Sequence, residues 1–326
     1  MSPASLRTAP RVRPREAAEV DVVGIGQSSL DHVCRVDGLP EFAGKARIEA
    51  YTRMPGGQVA TALLACARLG LRCAFAGSVG DDEAARLVLA PLREAGIDLA
   101  DVEVVAGAPT QLAVILVDRA SGERTVLWHR DPRLALAPGR PGRARIARAR
   151  ALHLDGGDPE AGAWAAKVAR EAGIPVVLDA DTASPGMAEL LAQVDYPVVS
   201  QGFARAYFGT EDVREALRAL VAGGAALAVV TLGDVGALGL AGERWIASPA
   251  YRVEARDTTG AGDVFHAAFV WGLLEGLAPE PLLRAANAAA GLNCRALGAQ
   301  GGLPTRAELE RFLREAAPTS WRGPAV

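Results

Sequence analysis

Asp257-Thr258-Thr259-Gly260-Ala261-Gly262-Asp263 runs without a break into Val264-Phe265-His266-Ala267-Ala268-Phe269. The small residues make a turn, and the apolar run behind them reads as a helix with a carboxylate in its first turn. The first N–H groups of a helix have no partner within it, and the helix dipole adds partial positive charge. Such a turn therefore favours a phosphate or a developing oxyanion. Gly260 and Gly262 let the backbone come close to a ligand, and Asp263 stands where it could take a proton from a hydroxyl. Together they suggest phosphoryl transfer to an alcohol, with a carboxyl held low by the helix N-terminus acting as a weak base. Spacing alone leaves a second reading open, in which Asp263 caps the helix and the glycines form an ordinary tight turn.

Upstream, short apolar runs at 22–25, 73–76, 151–154, 175–178, 197–199 and 227–231 read as buried strands. Helical stripes lie between them: Val59, Leu63, Leu64 and Ala67; Ala85, Val88, Leu89 and Leu92; Trp164, Val168 and Ala172. This alternation predicts an α/β fold with a mostly parallel central sheet covered by helices on both faces. Downstream of Asp263 the pattern is helical, with one helix through 274, another over 281–294 and a last one over 305–316.

Three segments break the alternation. Residues 30–36, 45–54 and 111–129 read as strands without intervening helices, the last a hairpin turning at Arg119-Ala120-Ser121-Gly122. They predict a small β-sheet lid closing over a ligand at the carboxyl ends of the main strands. An exposed face on that sheet would pair two copies into a homodimer. Residues 1–20 are expected to be a disordered tail, 21–316 the domain, and 317–326 a C-terminal tail.

Bulk properties narrow the partner. A chain of 326 residues with 50% hydrophobic and 22% charged content can bury a large core. Its net charge of -3 gives no drive toward nucleic acid or an anionic membrane. The five arginines of 140–150 lack interleaved aromatics and read as a solvated helix face. Cys34, Cys66, Cys73 and Cys294 form no metal or redox motif, and the first twenty residues contain no apolar stretch, so a cytoplasmic location is expected. A small-molecule partner follows.

Four further stretches are candidate sites. Gly24-Ile25-Gly26 follows the first strand but continues into extended chain, which a dinucleotide fingerprint does not do. Asp31 lies past a strand end, where its carboxylate could hold sugar hydroxyls or simply serve a turn. Met54-Pro55-Gly56-Gly57-Gln58 opens a helix with free N–H groups and an amide able to donate and accept. Thr231-Leu232-Gly233-Asp234-Val235-Gly236 could pass beneath a flat ring or a phosphate, and also reads as a hairpin turn. Lys45, Arg53 and Arg130 are candidate contacts for an anionic acceptor, against the ordinary role of solvated surface groups.

The order of these stretches resembles the ribokinase-like (PfkB) family of carbohydrate kinases over residues 21–316. Within it, Gly38-Leu39-Pro40, Gly44-Lys45, Tyr51-Thr52 and Gly262-Asp263-Val264-Phe265-His266 look closest to the ketohexokinase and sulfofructose kinase branch. The resemblance implies an ATP-dependent, Mg²⁺-requiring kinase with a sugar acceptor. Asp263 would be the base and Gly260, Ala261 and Gly262 the anion hole. Asp31 and the Gly56-Gly57 turn would contact the sugar, with Gln58 and Lys45 as neighbouring candidates. Thr231, Gly233 and Asn287 would line the nucleotide site. Asp257 and Thr259 match part of a monovalent-cation site, for K⁺, found in some members. Two departures stand out: Ser200-Gln201-Gly202-Phe203 replaces an Asn-x-x-Glu motif, and Thr61 replaces an asparagine. The resemblance leaves two competitors in play, an adenosine-type nucleoside kinase and a noncatalytic sugar- or nucleotide-binding regulator.

Overall fold

Val22, Val23, Gly24 and Ile25 are all buried, as a short apolar run becomes when a strand is paired on both edges and covered on both faces. In the computed structural model, which describes residues 10–325, this strand (β1, Val22–Ile25) lies inside an eight-stranded sheet. The chain continues through β2 (Ser29–Val36), β3 (Ala50–Gly56), α1 (Gln58–Arg68), β4 (Cys73–Ala76), β5 (Ser78–Gly80), α2 (Glu83–Glu94), β6 (Glu103–Val105), β7 (Leu112–Asp118) and β8 (Arg124–His129). The middle comprises α3 (Arg143–Ala147), β9 (Ala151–Asp155), α4 (Pro159–Glu171), β10 (Val176–Ala180), α5 (Met187–Leu191), β11 (Tyr196–Ser200), α6 (Gln201–Phe208), α7 (Val213–Ala222) and β12 (Ala228–Thr231). The last part holds β13 (Gly236–Ala241), β14 (Arg244–Pro249), α8 (Ala261–Leu274), α9 (Pro279–Asn293) and α10 (Arg306–Glu315).

The main sheet has the order β14-β13-β12-β11-β10-β9-β1-β4. From β4 to β12 the pairing is parallel; β13 and β14 close it as antiparallel hairpins. One apolar layer joins this sheet to α1, α2, α8 and α9, with Leu63, Leu92, Phe269 and Leu283 fully buried. On the opposite face another packs α4 to α7 around Phe203, Leu190 and Leu217. The result is the three-layer α/β/α arrangement that the alternation predicts, ribokinase-like in its layout.

The lid is a separate four-stranded sheet, β3-β2-β7-β8, its inner face packed around Val33, Ala113, Ile115 and Val117. Its strand β3 begins at Ala50, later than 45, because residues 40–48 make no ladder and the first lid bond is Glu49 N–H to Arg35 O at 2.9 Å. Lys45 therefore sits on exposed chain.

The two segments read as tails behave differently from that expectation where they are described. Residues 1–9 lie outside the described residues. Across 10–20, Ala18 and Val20 are buried and the Arg13 guanidinium donates to Ala147 O at 2.6 Å. After α10 the chain turns back along the end of β14, where Pro318 bridges Tyr251 and Thr319 N–H donates to Ala250 O at 2.8 Å. Trp321 packs on the second apolar layer. Backbone bonding and apolar burial hold both segments to the body.

Candidate active site

A cleft of about 1360 Å³ runs between the lid and the carboxyl ends of the main strands. Its walls include Asp31, Gly57 and Gln58 at one end, Gly260, Ala261, Gly262 and Asp263 in the middle, and Thr231, Gly233 and Asn287 at the other.

The turn before α8 is built from within. Asp257 is fully buried; its Oδ1 accepts from Thr259 N–H and its Oδ2 from Gly298 N–H, both at 2.8 Å. Gly260 caps α8 with φ +76°, and a Cβ there would fall 2.5 Å from Ala299 O, so only glycine fits. Gly262 faces open space, with nothing within 4 Å of a Cβ position. Ala261 N–H turns back to Thr258 O at 3.2 Å, whereas the N–H groups of Gly262 and Asp263 have no acceptor within the helix.

Asp263 stands in the first turn of α8 and opens on the cleft. Desolvation, followed by the nearby Asp179 carboxylate, pushes its carboxyl well above the ordinary range, while His266 and Arg124 pull it back. Desolvation and the neighbouring carboxylate thus push in the direction opposite to the depression expected from the helix N-terminus. A base raised in this way is stronger once ionised.

Asp31 is buried, with Oδ1 accepting from Ser29 Oγ at 2.6 Å. Desolvation raises its carboxyl to about 6, against the Ser29 bond, and Asp257 adds to the rise. Gly56 does not line the cleft. A Cβ on it would lie 2.0 Å from Asp31 Oδ2, so its role is to make room for that carboxylate. Gly57, at φ +93°, does line the cleft, and Gln58 both lines it and hydrogen-bonds Asp179. Lys45 is not among the lining residues, because exposed chain outside the ladder leaves it solvated.

At the far end, Asn287 is buried and committed: Nδ2 donates to Ser248 O and Oγ at 2.9 Å. It ties α9 to β14, shaping the wall. Gly233, at φ +59°, turns the chain out of β12. The two departures also have structural explanations. Ser200 Oγ accepts from Phe203 N–H at 3.0 Å as the cap of α6, and Phe203 is buried core. Thr61 is buried and accepts from Gln300 Nε2 at 3.3 Å, directed at the chain's own amide.

Several carboxylates in or beside the cleft escaped the sequence reading. Asp155 ends β9, accepts from Gln27 N–H at 2.7 Å and Gly157 N–H at 2.9 Å, and is raised to about 6 by desolvation. Gly26, once weighed as part of a nucleotide fingerprint, leaves the space for it: a Cβ there would lie 2.2 Å from Asp155 Oδ2. Asp179 ends β10 and, with Asp181, faces Asp263. Arg130, by contrast, was a sequence candidate for an anionic acceptor; it lines the cleft but is held by Asp158 in a bidentate pair at 2.9 and 2.6 Å. The available signal was positional, since each carboxylate closes or follows a buried parallel strand.

Comparison with known proteins agrees with this geometry. Residues 20–306 match the model of the pfkB family of carbohydrate kinases. The chain is 31% identical to a ribokinase of Bacillus subtilis over 89% of its length and 98% of the relative's. It is likewise 31% identical to fructokinase-1 of Oryza sativa, over 90% and 98%. Among solved structures, a putative ribokinase from Agrobacterium tumefaciens superposes with a TM-score of 0.84 at 31% identity, covering 91% of this chain and 98% of that one. With a helix start whose first N–H groups are open, a carboxylate in its first turn and a lid over both, this chain belongs to the pfkB family of carbohydrate kinases.

Proposed function

We propose that the protein transfers the γ-phosphoryl group of ATP to a primary hydroxyl of a small sugar or sugar-like acceptor. The observation that carries this reading is the single cleft joining Asp31, Asp263 and the Thr231–Gly233 turn. The acceptor lies between Asp31, Gly57 and Gln58 under the lid residues Ile115, Val126 and Trp128, and the nucleotide lies along Thr231, Gly233 and the Asn287 wall. Asp263 aligns the hydroxyl and takes its proton as the oxygen bonds to the γ-phosphorus and ADP leaves. A loose transition state needs positioning and charge stabilisation, supplied by the N–H groups of the first turn of α8.

Mg²⁺ bound with the nucleotide would neutralise phosphate charge; Ser200, occupied as a helix cap, and Phe203, which brings no carboxylate, offer it no direct ligand. The turn suits a monovalent cation such as K⁺. Thr259 Oγ1, in the loop carrying the Asp257 carboxylate, and Asn293 Oδ1, at the end of α9 where its Nδ2 donates to Thr259 O at 3.2 Å, are buried oxygens without a partner among the described residues. Two copies pair through the face of the lid turned away from the cleft, where Tyr51 and Leu127 are exposed. The four cysteines are free and buried, in keeping with a cytoplasmic enzyme, and no helix of the described residues is long and apolar enough to cross a membrane.

The test is product formation from ATP with a panel of ketoses, aldoses, sugar acids and nucleosides, read by phosphorus NMR. A phosphorylated primary alcohol of one sugar class supports the reading. Phosphate transfer to nucleosides alone assigns a nucleoside kinase. Ligand-induced thermal stabilisation with no phosphorylated product assigns a binding regulator.

A further inference from the structure

His266, one turn beyond Asp263 on α8, is buried with both ring nitrogens facing oxygen acceptors. Nδ1 lies 2.7 Å from Gly262 O and 3.4 Å from Asp179 Oδ2, and Nε2 lies 3.0 Å from Val198 O in β11. Carbonyl oxygens only accept. A neutral imidazole has one N–H, so in either tautomer it would set a bare lone pair against a carbonyl oxygen in a buried site. Only the doubly protonated ring satisfies both bonds.

We propose that His266 is held as an imidazolium and acts as a positioning residue, pinning the first turn of α8 to β11 and supplying the positive charge that lets Asp263 stand ionised beside Asp179. The part concerning Asp263 rests on the kinase reading above. The charged groups around the ring divide by element: Asp179 at the end of β10 and Asp181 just beyond it, Asp263 on its own helix, and His153 on β9. Desolvation works against the charge and lowers the ring's pKa, while the two carbonyls, Asp263 and Asp181 hold it up. His153 does not compete for the proton. Its ring centroid lies 5.9 Å from that of His266, and burial, followed by the neighbouring His266, lowers it to about 3 against a backbone contact with Val177. Geometry favours the charge, because discharging the ring would leave an unsatisfied pair and two adjacent carboxylates with only Arg124, on the lid strand β8, as a counter-charge.

The ring's charge is read by nitrogen NMR on full-length protein labelled at histidine, at pH 8. The signal is assigned by substituting the other three histidines, His32, His129 and His153, in turn. Both nitrogens of His266 should be protonated; a single protonated nitrogen overturns the proposal. The positioning role is read separately, from the pH profile of kcat in His266→Asn, which keeps an amide donor and removes the charge. Its acidic limb should move up by about one pH unit or more, because loss of a nearby positive charge makes Asp263 harder to ionise. A uniform fall in kcat with the limb unmoved would mean that the residue only holds shape, and would sink this part. Should the variant not fold, the NMR result still decides the charge. A doubly protonated ring in a protein that phosphorylates no acceptor would count against the kinase reading and leave the charge standing.

Discussion

Arg124, the first residue of β8, donates from Nη1 to Thr258 Oγ1 at 3.1 Å, and Thr258 in turn gives its N–H to Gly122 O at 3.2 Å. The tip of the lid hairpin is thus fastened to the turn that precedes the anion-binding helix start. On the kinase reading, closing the lid over the acceptor and shaping the first turn of α8 would be coupled through this tie. Arg124 also helps to draw the Asp263 carboxyl down.

Arg124→Ala should accordingly raise the acceptor KM by about fivefold, the effect of one exposed charged hydrogen bond of about 1 kcal/mol. KM for ATP should change less. Steady-state kinetics with each substrate varied would show it; equal changes in both would mean that the tie has no part in closing the lid.

Asp263→Asn keeps the shape of the first turn of α8 and removes the base. Turnover should fall by about a thousandfold, with nucleotide affinity retained. Turnover near that of the parent protein would remove Asp263 from the mechanism.

The glycines of the turn should part company. Gly260→Ala forces a side chain into the left-handed region and against Ala299 O, costing roughly 1–2 kcal/mol from backbone strain alone. Its melting temperature should drop by at least about 2 °C. Gly262→Ala meets no protein atom within 4 Å, so melting should hold while turnover falls, since the methyl group occupies space meant for the phosphoryl group. Calorimetry beside an activity assay separates the two.

Acceptor binding should depend on pH through Asp31, whose carboxyl is raised to about 6 by desolvation. Ionised, it accepts hydrogen bonds from sugar hydroxyls. As pH falls through that value it protonates and this capacity is lost, so affinity should weaken toward the limit of about tenfold per unit. Calorimetric titration of the acceptor would show a step that vanishes in Asp31→Asn. Asp155 is raised to a similar value but is turned onto the N–H groups of Gln27 and Gly157. Asp155→Asn should leave the step in place.

Thr319 and Arg322 border the nucleotide end of the cleft, and Arg322 Nη2 lies 3.4 Å from Asp234. Arg322→Ala should raise KM for ATP by about threefold, as an exposed charge contact would, leaving acceptor KM unaltered. A change confined to the acceptor would contradict this placement of the nucleotide.

Much of this arrangement could be read from residue order, for physical reasons that differ by element. Runs such as 22–25 and 228–230 carry no polar side chain because both sheet faces are covered, and that pattern survives in a single sequence. The turn from Asp257 to Asp263 was legible because it is local: the N–H groups, the glycines and the carboxylate are neighbours in the chain. Asp179 and Asp155 were not legible, since a carboxylate after a strand acquires meaning only when β9, β10 and α8 converge. Gly56 was misread for a related reason. Its need for no side chain comes from Asp31, a partner across the β2–β3 pairing, and not from a ligand. Lys45 was placed on a strand that starts five residues later, where Ala50 first finds a ladder partner in Arg35. The segment after Ala316 looked like a tail because Pro, Gly and polar residues carry no periodicity. Its order comes from Ala250 and Tyr251, which offer it backbone contacts.

That returning segment has a practical consequence for anyone producing the protein. Thr319 and Arg322 line the same cleft as Thr231 and Gly233, so on the kinase reading a bulky fusion placed close behind Arg322 would crowd the nucleotide and distort kinetic constants, and a purification tag belongs elsewhere on the chain.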